Sequence, residues 1–143
     1  MRILAAVLLL ATACFGEAAE SAFVVYPADC NHLGSLFGGK IMSEMDRVAG
    51  IATRRFLYAS ETRDTVTIAI NKVRFLKAGA VKDLVIVSGE VVAAGEKSIT
   101  IAVKVERETD RGRELLADAE FVFVAFDLRE KKAAAHGLKV GAK

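Results

Sequence analysis

From Gly38 onward the apolar residues fall at Ile41, Met45, Val48, Ala49, Ala52 and Phe56. Steps of three and four place them on one face of an amphipathic helix. The pattern predicts a helix of about 20 residues, roughly 30 Å long, ending near Ala59. A neighbouring strip carries Met42, Asp46, Gly50 and Thr53. The bare Gly50, one turn after Asp46, leaves room beside that carboxylate for another backbone or a ligand.

On either side of the helix the pattern turns to that of strands. Residues 23–26 form a short β-rich run ended by Pro27. After the helix, Val66, Ile68 and Ile70 alternate with Thr65, Thr67 and Ala69; the alternation then slips, so that Val73 and Phe75 oppose Lys72 and Arg74. Such a slip predicts a β-bulge around Asn71 and Lys72. Further strands are predicted at residues 84–92, 98–106 and 115–126, separated by turns at 94–97 and 109–112. In the clearest of them, Ile99, Ile101, Val103 and Val105 point one way, and Ser98, Thr100, Lys104 and Glu106 the other. Tight turns imply an antiparallel sheet. Strands do not alternate with helices, so the helix must bury its apolar face inside that sheet, in an α+β fold with the sheet wrapped around one long helix.

Composition narrows the function. The chain has 143 residues, 53% hydrophobic and 27% charged, which suits one globular domain. Lysine and arginine exceed the acids by only two, which argues against a nucleic-acid binder. The cysteines, Cys14 and Cys30, form neither a disulfide framework nor a metal spacing, and no metal site is expected. His32 and His136 read as solvated surface histidines.

The N-terminus carries Met1-Arg2, an apolar run over residues 3–10, then Ala11-Thr12-Ala13-Cys14. This resembles a secretory signal or a loose lipoprotein box, and it is too short for a membrane span. The organisation expected is a signal-like or extra segment at 1–20, a folded domain at 21–128 beginning near Ser21, and a mobile tail at 129–143.

Chemistry concentrates in residues 31–46, where a glycine-bearing loop leads into the helix and Asp46 lies two turns inside it. Gly38 and Gly39 allow close backbone approach, and a helix N-terminus offers unpaired N–H groups to an anion or a polarised carbonyl. Asp46 could serve there as a general base, although alone it reads as a surface aspartate beside Arg47 or Lys40. Cys30 has no marked base near it and is not read as a nucleophile.

The runs at residues 27–34, Phe37-Gly38-Gly39 and Met42-Ser43-Glu44-Met45-Asp46 resemble the hotdog-fold acyl-CoA thioesterases of the acyl-CoA hydrolase branch. Weaker support comes from residues 73–77, 98–105 and 119–124, so that the likeness spans about residues 23–127; Cys30 stands where the family usually has threonine. The resemblance implies hydrolysis of acyl-CoA to free fatty acid and CoA, with Asp46 activating water and Asn31 helping to position water or carbonyl. Gly38 and Gly39 would then supply the oxyanion donors. It also implies a homodimer whose sites combine Asp46 of one subunit with Asn31 of the other, and a trimer of such dimers as a further expectation. Arg74, Lys97 and Ser98 are the candidate contacts for coenzyme A, which is part of the substrate; no separate cofactor is expected. The chemistry favours the cytoplasm, with export the alternative if residues 1–13 act as a signal. The competing function is a non-catalytic acyl-CoA-binding module on the same fold. A dehydratase is disfavoured because no His-Phe-Pro type string occurs.

Overall fold

The computed structural model describes residues 18–140; the signal-like run and Cys14 lie outside them. The chain runs β1 (Ala18–Val24), a 3-10 turn (Pro27–Asp29), α1 (Gly38–Phe56), a second 3-10 turn (Leu57–Ala59), β2 (Asp64–Phe75), β3 (Leu84–Ala94), β4 (Ser98–Thr109), β5 (Gly112–Asp127) and β6 (Lys132–Ala133). The strands form one antiparallel sheet in the order β1-β3-β4-β5-β2, with β6 pairing β5.

Helix α1 carries the residues its periodicity singled out. Ile41, Met45, Val48, Ala49, Ala52 and Phe56 are all buried, against Val85, Val87, Ile99, Ile101, Val103, Phe121 and Phe123 of the sheet. Each fully buried large apolar side chain contributes about 1.5–3 kcal/mol relative to exposure. Packing is close where α1 crosses β3. A Cβ on Gly89 would stand 3.3 Å from Val48 and 3.4 Å from Ile101, so a glycine there lets the helix lie on the strand.

The edge strand β2 is irregular twice. The expected bulge appears between Asn71 and Arg74, where Lys72 takes φ 52°, but a second register shift lies between Thr67 and Ala69. This second shift takes Ile68 out of the ladder and turns Val66 and Ile70 to opposite faces: Val66 pairs half-buried Val124, and Ile70 pairs buried Phe121. The even alternation suggested by the sequence is therefore broken earlier than expected.

Both ends of the described segment differ from expectation. Strand β1 already pairs with β3 at Ala18, the first described residue and earlier than the expected edge at Ser21. Within the tail expected to be mobile, the described residues 130–140 fold back on the domain through β6. His136, expected on the surface, is 4% exposed. Its ring meets Phe56 edge-on at 5.8 Å, its Nδ1 accepts from the Leu138 N–H at 3.1 Å, and its Nε2 lies 3.3 Å from the Ser98 carbonyl. The Ser60 hydroxyl donates to the His136 carbonyl at 2.9 Å. The aromatic edge and these three polar partners explain the burial.

Candidate active site

The loop between β1 and α1 is fixed mainly by backbone hydrogen bonds. Asp29 accepts the Tyr26 N–H at 2.9 Å through its carboxylate and the Phe37 N–H at 2.9 Å through its carbonyl. The Leu36 N–H donates to the Gly79 carbonyl at 2.9 Å, tying the loop to the segment after β2. Inside the loop, the Asn31 Oδ1 accepts from the N–H groups of Leu33 at 2.9 Å and Ser35 at 3.1 Å. Two backbone donors fix the amide orientation and leave Nδ2, a donor, as the group with capacity to spare.

Helix α1 opens without a cap. Phe37 at the N-cap makes no side-chain hydrogen bond, and the first turn carries no acidic residue. The leading N–H groups and the positive end of the helix dipole are therefore available to a developing negative charge. Neither Gly38 nor Gly39 has positive φ, so their role is spatial. A Cβ on Gly38 would touch Phe75 at an ordinary 3.5 Å, whereas one on Gly39 would collide with the exposed Phe37 ring. Asn31, Gly38 and Ile41 share an open cleft of about 310 Å³ with Phe75, Leu76 and Lys77.

Asp46 lies elsewhere. It is exposed on α1 and is absent from the lining of the Asn31 cleft. Eight residues of helix separate it from Gly38, about 12 Å along the axis. Its Oδ1 accepts a hydrogen bond from the Thr67 hydroxyl at 2.8 Å, across the gap between α1 and β2. Within a single protomer, then, Asn31 and the two glycines come together, and Asp46 pairs instead with Thr67. The sequence reading missed Thr67, which was one polar position among several on an alternating strand.

Of the three expected coenzyme A contacts, Arg74 stands apart from the adjacent Lys97 and Ser98. Arg74 forms a bidentate pair with Asp118, its Nε 2.8 Å from Oδ1, and this pairing holds the Asp118 carboxyl below its usual range. Ser98 pairs with Val124 on the same strand that carries Asp118. Six positions along β5 amount to about 20 Å, so Arg74 and Ser98 stand toward opposite ends of the sheet. Lys97 is exposed in the β3–β4 turn, and its carbonyl accepts the Ala125 N–H at 2.9 Å. Among the described residues no cluster of histidine, cysteine and carboxylate side chains could hold a metal, and no helix is long and apolar enough to cross a membrane.

One long helix inside a curled antiparallel sheet is the hotdog architecture. The chain belongs to the thioesterase superfamily, whose family profile matches residues 33–114. It is 38% identical over 109 residues to the uncharacterized acyl-CoA thioester hydrolase YkhA of Bacillus subtilis, covering 75% of this chain and 61% of that protein. The chain thus spans less than two thirds of that relative. The structure is similar to a hexameric thioesterase from Yersinia pestis, with TM-score 0.72 and 32% identity, covering 84% of this chain and 94% of that one. It is also similar to an acyl-CoA hydrolase from Staphylococcus aureus solved with butyryl coenzyme A, with TM-score 0.76 and 26% identity, covering 85% and 72%. That enzyme has been solved with an asparagine, an aspartate or a threonine replaced by alanine, the first two fifteen positions apart.

Proposed function

We propose that this protein hydrolyses acyl-CoA thioesters to the free acid and CoA, using Asp46, Asn31 and the helix N-terminus. The observation that carries the reading is the pairing of an accessible carboxylate, Asp46, with a hydroxyl that fixes it, on a helix that begins uncapped. Asn31 and Asp46 are fifteen positions apart, matching the asparagine and aspartate replaced in the Staphylococcus aureus enzyme.

In this mechanism the Thr67 hydroxyl occupies Oδ1 of Asp46, leaving Oδ2 to take a proton from water. The water oxygen attacks the thioester carbonyl carbon. Negative charge forms on the carbonyl oxygen, where the N–H groups at Gly38 and Gly39 and the helix dipole stabilise it; one such donor is worth about 3–4 kcal/mol of barrier. Nδ2 of Asn31 donates to the carbonyl or the water. Collapse breaks the C–S bond, and the departing thiolate takes up the proton. No cofactor takes part.

The same reading makes the protein an oligomer with shared sites. β2 is an edge strand of 12 residues exposing Val66, Ile68, Ile70 and Phe75 beside the open flank of α1. A long apolar edge needs a partner. A second copy placed there would bring its Asn31 to the first copy's Asp46, which one protomer keeps apart. Trimers of such dimers match the hexamers of the relatives. Lys97 and Ser98 serve the coenzyme A phosphates; Arg74, about 20 Å from Ser98 along the sheet and paired with Asp118, does not join them at the same phosphate within one protomer. An acyl-CoA substrate places the reaction in the cytoplasm; use of residues 1–13 as a signal would place it outside.

The test is thiol release from a panel of acyl-CoAs of varied chain length, with Asp46→Asn as control. Release by the wild type that vanishes in the variant is the expected result. Equal turnover by Asp46→Asn would end the assignment. Binding of acyl-CoA without release would favour the non-catalytic module.

A further inference from the structure

The four charged residues around the start of α1 form a compact set. Lys40 Nζ lies 2.9 Å from Glu44 Oε1 and 3.7 Å from Asp29 Oδ1, and 5.2 Å from the centre of the Phe23 ring. Arg47 reaches the same Glu44 oxygen at 2.9 Å. Glu44 is a buried carboxylate with 5% side-chain exposure, whereas Arg47 is 62% exposed and Lys40 32%. Among the described residues, Lys40 is the cation that touches both carboxylates.

The sequence positions of its partners give this contact its meaning. Asp29 stands two residues before Asn31 and Glu44 two residues before Asp46. Asp29 also organises its loop, since it accepts the Tyr26 and Phe37 N–H groups. A single ammonium therefore joins the loop that presents Asn31 to the helix that presents Asp46. We propose that Lys40 is a positioning residue for thioester hydrolysis, clamping the Asn31 loop against α1 so that the amide donor and the uncapped N–H groups keep a fixed relation.

The inference rests on the roles proposed for Asn31 and Asp46. Lys40 acts through Asp29 and Glu44 and does not touch the substrate. The hydrogen bond to Glu44 raises the Lys40 pKa, so the ammonium persists throughout the pH range of an assay. Asn31 and the leading N–H groups of one protomer serve the same proposed site, so Lys40 steadies that site through Asp29. Misplacing a reacting group by about 1 Å can cost up to about a hundredfold in rate, so loosening the clamp reads out in turnover.

The experiment compares Lys40→Met, Lys40→Arg and Lys40→Met/Glu44→Gln in the full chain, with steady-state thiol release from a butyryl-CoA probe and thermal melting for each. The double variant removes the carboxylate that Lys40→Met would leave short of a cation, which keeps the fold. Expected are a fall in kcat of about tenfold in Lys40→Met, with KM changed by less than about twofold, and recovery of most of that loss in Lys40→Arg. The double variant should melt near the wild type yet remain slow. Wild-type kcat in Lys40→Met overturns the proposal. A raised KM with unchanged kcat overturns it too, since Lys40 would then be binding the coenzyme A portion. Recovery of kcat in the double variant reduces Lys40 to a counter-charge for Glu44 and likewise overturns it. Asp46→Asn, run alongside, separates the cases: an active Asp46→Asn rejects the reaction mechanism, whereas an inactive one with an unaffected Lys40→Met rejects the clamp alone.

Discussion

The Thr67 hydroxyl donates to Asp46 Oδ1 at 2.8 Å, joining the edge strand to the central helix at the one carboxylate proposed as base. The hydroxyl occupies one oxygen and orients the other. Thr67→Val keeps the shape of the side chain and removes the donor, so kcat should fall by roughly 10–100-fold, while Asp46→Asn falls by at least about a thousandfold. The double variant should be no slower than Asp46→Asn alone, because the hydroxyl acts only through the carboxylate. Additive losses in steady-state kinetics would give Thr67 an independent role.

Asn31 combines an observed loop contact with a proposed catalytic one. Its Oδ1 holds the loop through the Leu33 and Ser35 N–H groups, and its Nδ2 is left to donate. Asn31→Asp retains acceptors for the loop and loses the donor, so the protein should melt near the wild type and lose turnover. Coexpression of Asn31→Asp with Asp46→Asn tests the shared site. Random assembly makes about half the dimers mixed, each with one intact site of two, so activity should return to about a quarter of wild type. No recovery would place each site within one chain.

The exposed apolar edge of β2 is the proposed seam of the assembly. Ile68 is 57% exposed at the first bulge, beside Val66 at 41%. Ile68→Lys should leave the protomer folded, because the side chain is outside the core, and should shift the oligomer to smaller species in sedimentation. Turnover should fall together with the oligomer. A variant that keeps the wild-type sedimentation profile would move the interface elsewhere.

The legible part of the molecule was its periodic part. Ile99, Ile101, Val103 and Val105 are all buried, as their alternation required, and the apolar face of α1 is buried throughout. Periodicity fails where one residue breaks it without changing composition. The shift at Ile68 leaves no mark in a run of β-formers, and with it went the orientation of Thr67. Glu44 shows another limit: a carboxylate buried by two flanking cations is indistinguishable in sequence from a solvated helix acid. The glycines were legible as a close-approach signal, but it was not legible that a side chain at Gly39 would meet Phe37 while one at Gly38 would make only an ordinary contact with Phe75. His136 escaped because its burial depends on Phe56, Ser60 and Ser98, all of them 38 or more residues away.

That histidine should matter for stability. His136→Ala removes a ring packed on Phe56 and leaves the Leu138 N–H and the Ser98 carbonyl without their partner. A cavity of this kind with broken hydrogen bonds costs about 2–4 kcal/mol. A thermal melt should move down by roughly 5–15 °C. An unchanged melting temperature would show that residues 132–138 add nothing to the folded domain.

Acid stability follows from the paired carboxylates. Arg74 holds Asp118 below the ordinary aspartate value of 3.8, and Lys77 and Arg107 hold Glu114 below the ordinary glutamate value of 4.5. Arg113 does the same to Glu20. Each group binds its proton more weakly in the folded state, so the unfolded chain takes up protons first as pH falls. Their stabilisation is complete above about pH 5 and is lost progressively as pH drops below the ordinary values and through the folded ones. The pairs are largely at the surface, so each effect is small and weakened by salt. The urea midpoint should be level between about pH 8 and 5 and decline below about 4.5, less steeply in Arg74→Ala than in the wild type. A midpoint that rises on acidification, or a slope indifferent to Arg74, would mean that these pairs do not set the acid limit.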